Sequence, residues 1–126
     1  MRAVDTNVLV RLITRDDARQ VGAAEAFVAN GAWVPHLALA EATWVLESVY
    51  DRDRKSIVTP IEMLLRHRHL TVQDADVVTE ALDQFRRHSK VGFSDCLMVE
   101  VARRAGHVPL GTFDRAVGRI DGAQPM

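Results

Sequence analysis

Only one cysteine, Cys96, occurs in the 126 residues. This excludes an intramolecular disulfide and any zinc site built on cysteine pairs, so the chain calls for no oxidising compartment. Its apolar helical neighbours Leu97 and Met98 mark Cys96 as a small core residue rather than a nucleophile. Long hydrophobic runs are also missing. The longest uncharged stretch, Ala26 to Ala40, is interrupted by Asn30, Gly31, Pro35 and His36 and is too short to span a bilayer. Asp5 and Arg11 break the amino-terminal apolar run where the core of a signal peptide would lie. The expectation is a cytoplasmic protein with no membrane role. No glycine-rich phosphate loop, G-x-S-x-G elbow or Cys/His zinc spacing is present. The 5 histidines, His36, His67, His69, His88 and His107, form no ligand or triad pattern and read as surface or helix-end residues. His67 and His69 are two apart, a spacing that on a helix would turn them away from each other. Aromatic residues are only 6% of the chain, and Trp33 and Trp44 lie on apolar elements, which predicts core or dimer-contact roles rather than base stacking.

What is present is the composition of a soluble globular protein, 48% hydrophobic and 26% charged. The length suits one domain, residues 1–126, able to bury a core unaided. A net charge of -1 conceals a strong preference for arginine, since all but Lys55 and Lys90 of the 16 basic residues are Arg. They gather in runs: Arg52-Asp53-Arg54-Lys55, Arg66-His67-Arg68-His69, Arg86-Arg87-His88 and Arg103-Arg104. Such runs can contact phosphate, but most fall near predicted helix ends, where cations complement the helix dipole.

Apolar periodicity predicts a strand at Ala3-Val4, a helix through Leu9 and Leu12 ending near Thr14, and a second helix after Asp16 or Asp17, with Val21, Ala24, Phe27 and Val28 on one face. A strand at Ala32-Trp33-Val34 closes at Pro35, and a helix follows from Ala38 to Tyr50. The next helix runs through Ile57, Ile61 and Leu64, with Pro60 placed in its first turn, where a missing N–H breaks no helical bond. Leu70-Thr71-Val72 reads as a strand, Asp74 as the cap of a helix through Phe85, and Ser94 as the cap of a helix from Asp95 to Ala105 that ends at Gly106. A last strand at Val108 to Leu110 precedes a short helix through Val117 and Ile120, and Asp121 to Met126 reads as a frayed tail or a poor edge strand. Strands separated by helix pairs, with few hairpin signals, predict an α/β fold with a mainly parallel central sheet covered by helices.

Four acids stand at comparable junctions: Asp5 after the first strand, Glu41 near the start of its helix, Asp95 at a helix start and Asp114 after the last strand. Each has a structural reading, as a helix cap for the aspartates or a snorkelling surface residue for Glu41. The carboxyl ends of parallel strands share one sheet edge, which would make the four neighbours. Two unit charges ~4 Å apart repel by about 4 kcal/mol at an effective dielectric of ~20, so four carboxylates need a counter-charge. A divalent cation supplies it, and an all-oxygen ligand set selects Mg²⁺ or Mn²⁺. Such an ion would activate water for in-line displacement at a phosphodiester.

Val4-Asp5-Thr6-Asn7-Val8-Leu9, Ala40-Glu41-Ala42 with Trp44-Val45-Leu46, Phe93-Ser94-Asp95-Cys96-Leu97 and Gly111-Thr112-Phe113-Asp114-Arg115 resemble the successive motifs of PIN-domain ribonucleases, in particular VapC-type toxins. The likeness covers nearly the whole chain, in order. It implies a three-layer α/β/α sandwich and an Mg²⁺ or Mn²⁺ site formed by Asp5, Glu41, Asp95 and Asp114. It also implies cleavage of single-stranded or loop RNA, a homodimer, and inhibition by a cognate antitoxin protein. Asn7, Ser94 and Thr112 match positions that support the acids by hydrogen bonding. Many relatives carry a further acid two residues after the last one, where this chain has Ala116. Arg86, Arg87 and Arg115 are the candidate RNA contacts, Arg115 because it directly follows a site acid. The alternative is a non-catalytic PIN-like module that binds RNA or protein. A phospho-acceptor domain would want a second Asp at the end of the first strand, and only Asp5 is there.

Overall fold

The computed structural model describes residues 1–126, and the chain divides into two compact units, Met1–Ala75 and Asp76–Met126. In the first, β1 (Arg2–Ala3), β2 (Ala32–Val34) and β3 (Leu70–Val72) form a parallel sheet in that order. Arg2 stands opposite Ala32, and Ala32 opposite Leu70. Parallel neighbours need crossovers, and each crossover here is a helix pair: α1 (Thr6–Thr14) with α2 (Ala18–Val28), then α3 (His36–Ser48) with α4 (Arg54–Arg66). Aspartates start three of these helices. Asp5 accepts from the Val8 N–H, Asp17 from the Gln20 N–H and Asp53 from the Ser56 N–H. The bond from Ser56 holds the Asp53 carboxyl below its ordinary value. Leu9, Leu39, Leu46, Ile61 and Leu64 are fully buried, so the apolar stripe of every helix but the short-residue α2 delivers a large side chain to the core.

Several expectations are revised in this unit, each for a local reason. Helix α3 begins at His36 with Pro35 in the N-cap position, two residues ahead of Ala38, which moves Glu41 from the first turn to the second. Pro60 lies inside α4 rather than in its first turn. Its missing N–H frees the Ser56 carbonyl, and the Arg52 guanidinium donates to that oxygen at 3.3 Å, which makes the interior proline tolerable. Of the core and dimer-contact roles expected for Trp44, the core role falls away: it is 64% exposed on α3, while Ala42 and Leu46 take the buried face. Trp33 faces away from Ala32 and Val34 because side chains alternate along a strand, and it is 36% exposed. His67, at the C-cap of α4, and His69, in the turn after it, lie at a helix end as expected, and their rings are 5.7 Å apart. The His69 N–H donates to His67 Nδ1 at 3.1 Å, and burial, then the neighbouring His69, depress the His67 pKa.

The second unit holds nearly all of α5 (Ala75–Arg87), then α6 (Phe93–Ala105), β4 (Leu110–Thr112), a 3-10 turn (Val117–Arg119) and β5 (Ala123–Pro125). Asp74, ahead of α5, has φ 40°, left-handed rather than the extended conformation of an ordinary N-cap. Gly92, not Ser94, occupies the N-cap of α6. The helix starts early because Phe93 is buried and meets Phe85 edge-on, with ring centres 6.0 Å apart. Gly106 closes α6 at φ 84°, the left-handed conformation that glycine adopts without strain. Pairing starts at Leu110 because Pro109 has no N–H to contribute, and residues 123–125 form an edge strand parallel to β4. Cys96 is fully buried, as expected. Glu100 is a buried acid that sequence reading passed over, and Arg103 answers it at 3.3 Å. The fold is α/β with every strand pairing parallel. No helix is long and apolar enough to cross a membrane.

Burial separates two neighbouring positions on α3. Leu46→Ala is expected to lower stability by about 2–5 kcal/mol in urea unfolding, and Trp44→Ala, at low protein concentration, to change it by no more than about 0.5 kcal/mol. A comparable loss at Trp44 would return that residue to the core.

Candidate active site

Because β1 and β2 run parallel, the chain leaves both at the same edge, reaching Asp5 after one and α3 after the other. Asp5 serves as the N-cap of α1 through Oδ1, 3.1 Å from the Val8 N–H, and its other oxygen makes no hydrogen bond. Thr6 begins α1, and its hydroxyl donates to Glu41 Oε2 at 2.7 Å. That bond crosses from α1 to α3 and holds Glu41 beside the residue next to Asp5, with Oε1 uncommitted. Sequence reading assigned the supporting role to Asn7, whereas Thr6 makes the contact and the Asn7 side chain makes none. The signal was available, since a threonine in the first helical turn has a hydroxyl to spare.

In the second unit Asp114 follows β4 and caps the 3-10 turn, its Oδ1 accepting from the Ala116 N–H at 2.8 Å and the Val117 N–H at 3.0 Å. The Thr112 hydroxyl accepts from the Asp114 N–H at 3.0 Å, so Thr112 shapes the turn without touching the carboxylate. Asp95 is half-buried in the first turn of α6, where a helix dipole favours a negative charge. Burial, and then the charge of Asp114, nevertheless raise its carboxyl pKa. Ser94 is exposed and makes no side-chain hydrogen bond.

The arginines named from sequence are placed unequally. Arg86 and Arg87 both pair with Asp83, at 3.8 and 3.2 Å, and Arg115 is exposed. Arg87 also lines a cleft of about 200 Å³ with His88, Ser89, Lys90, Ala116 and Arg119. No acid lines this cleft, and the Lys90 and Arg119 side chains have no partner. Both were missed because each stands outside the basic runs. Most of the runs do sit in last helical turns, as Arg66, Arg86-Arg87 and Arg103-Arg104 show, which bears out the dipole reading for them.

Each carboxylate pair is all-oxygen and keeps free lone pairs, and the repulsion at Asp95 is what a bound cation would relieve. This donor chemistry fits a hard divalent ion. Within neither unit do three or more His, Cys, Asp or Glu side chains gather into a ready ligand set.

The shift at Asp95 has a definite sign. A carboxyl that holds its proton more tightly folded than unfolded makes the folded state bind the extra proton, so stability falls as pH rises from 3.8 through the raised folded value. Asp95→Asn is expected to raise the metal-free melting temperature at pH 7, with the advantage disappearing below pH 3.8. Melts in chelator across that range check it, and a lower melting temperature at pH 7 would mean that the Asp95 charge is favourable in the fold.

Residues 2–123 match the PIN domain family. No curated protein and no solved structure matches the chain. The family match begins in β1, ends in β5 and includes Asp5, Glu41, Asp95 and Asp114, and on this ground the chain belongs to the PIN domain family.

Proposed function

We propose that this chain is a divalent-metal-dependent endoribonuclease that cuts single-stranded or loop RNA, and that it acts in the cytoplasm as the toxin of a VapC-type toxin–antitoxin pair. PIN membership supports a nuclease or RNA-binding role. The observation that carries the finer reading is the state of the acids. Asp5 and Asp114 each spend one oxygen on a helix cap and keep the other, Glu41 is held by Thr6 through one oxygen, and burial and Asp114 make the Asp95 carboxyl harder to ionise. Capping fixes these carboxylates; it does not use them up.

Asp5, Glu41, Asp95 and Asp114 would hold the Mg²⁺ or Mn²⁺. When bound, the ion supplies an activated water and stabilises charge on the phosphodiester. Ala116 offers no carboxylate for a second ion. Thr6 orients Glu41 and Thr112 sets the turn that presents Asp114. Lys90, Arg119 and Arg87 are suited to hold an RNA phosphate, since their cleft contains cations and no acid. Leu37 and Trp44, 70% and 64% exposed, flank Glu41 on one stripe of α3. An apolar stripe around a site acid is what a homodimer partner or an antitoxin segment would cover.

Cleavage of single-stranded RNA should require Mg²⁺ or Mn²⁺ and vanish in Asp5→Asn, in which the asparagine still caps α1 and the fold is kept. Expression in a bacterial host should arrest growth for wild type alone. Purified wild type that binds RNA and cuts none with Mn²⁺ would establish the binding module instead. Lys90→Ala with Arg119→Ala should weaken RNA binding and flatten its dependence on salt, read as a slope of log affinity against log salt that is smaller by about 1.4 for a single strand. Light scattering at micromolar concentration should return a dimer mass.

A further inference from the structure

A second cleft opens beside Asp5 in the first unit. It has a volume of about 380 Å³ and lies between α1 and α2, with Ala23, Ala24 and Phe27 as apolar walls and Asp5, Asn7, Arg11 and Gln20 as polar groups. That volume falls within the roughly 300–1,000 Å³ of small-ligand pockets, and the pattern of apolar walls with a few polar groups is theirs as well. Sequence reading placed Phe27 on the buried face of α2, but its ring is half-exposed. The Arg2 guanidinium lies over that ring, 3.7 Å from its centre.

The polar groups are prearranged by a network that the acids do not need. Asp16 accepts from Arg11 Nη1 at 2.7 Å and from the Tyr50 hydroxyl at 2.8 Å, and Arg11 Nη1 also reaches the Tyr50 oxygen at 3.0 Å. Arg11 so fixed donates from Nε to Gln20 Oε1 at 2.5 Å. With its oxygen engaged, the Gln20 amide is oriented and its NH₂ is left to donate. The Asn7 amide, without a partner, offers both a donor and an acceptor.

We propose that this cleft is a nucleobase subsite, which takes the base of a nucleotide adjoining the phosphate that is cut; the assignment rests on the nuclease reading above. Asp5 belongs both to the acids and to the cleft wall, so a phosphate held at Asp5 leaves the neighbouring base beside the cleft. Unstacked RNA bases are recognised by aromatic planes and by amides at their edges, and this cleft has Phe27 for the first and Gln20 with Asn7 for the second.

The test follows the methyl signals of Ala23 and Ala24 by NMR in the full chain without metal, as each of the four nucleoside 5′-monophosphates is added. At least one should shift them saturably, and Phe27→Leu should weaken that binding about tenfold, the loss of one stacking contact. Gln20→Leu should change which nucleotide binds best and, in cleavage assays, which sequence is cut. No shift from any nucleotide, or shifts from an amphipathic peptide alone, would overturn the subsite. RNA cleavage with unaltered affinity and sequence preference in both variants would overturn it while leaving the nuclease reading in place. Nucleotide binding in a chain that cuts no RNA would support the subsite and reject the nuclease.

Discussion

The hydrogen bond from the Val8 N–H to Asp5 Oδ1 sets the turn at which β1 gives way to α1, and much of the first unit follows from that turn. It starts a helix whose first residue, Thr6, anchors Glu41, and whose next turns carry Leu9 and Leu12 into the core. Asp114 repeats the device after β4, closing a 3-10 turn with one oxygen. A strand that ends at a capping aspartate gives the carboxylate a fixed direction at little cost, because the N–H groups it satisfies would otherwise be orphaned. Capping therefore leaves Asp5 and Asp114 each an oxygen to spare.

Electrostatics sets Asp95 apart from the capping aspartates. Asp95 sits where a helix N-terminus welcomes an anion, yet its carboxyl is harder to ionise than usual, burial being the larger cause and Asp114 the second. The near-neutral net charge of the chain hides a separation of signs: acids at strand and helix starts, and cations in last turns and in the cleft of Lys90 and Arg119. A polyanion would be drawn to the second set and needs a cation at the first.

Much of this was legible in the sequence because it is local. Asp17 and Gly106 act through neighbours within one turn, so their roles as cap and stop follow from residue type and position. The order of strands and helix pairs was legible through apolar spacing. What was hidden depended on a distant partner. Pro60 reads as a helix start until Arg52 is seen on the Ser56 carbonyl. Trp44 reads as core or dimer contact until the stripe of α3 is seen to bury Ala42 and Leu46 and leave the tryptophan outside. Ser94 is the better cap by residue type, but Phe93 is drawn into the core beside Phe85 and the helix begins ahead of it. At the candidate site the acids were visible as types at junctions, whereas the cleft of Lys90 and Arg119 emerged only in three dimensions.

Arg103 touches none of the four acids, yet it governs the ground under one of them. It answers the buried Glu100 on its own helix, and its Nη2 donates at 2.5 Å to the Asp121 carbonyl, at the approach to β5. Its guanidinium fills the space that a Cβ on Gly122 would need, 2.6 Å away, and Gly122 is itself at φ 95°. From there β5 pairs with β4, and β4 delivers the chain to Thr112 and Asp114. Inheritance would see this as linkage between sites that never meet: drift at residue 103 or 122 shifts the aim of residue 114, and a lineage could lose its acid turn while every acid stays in place.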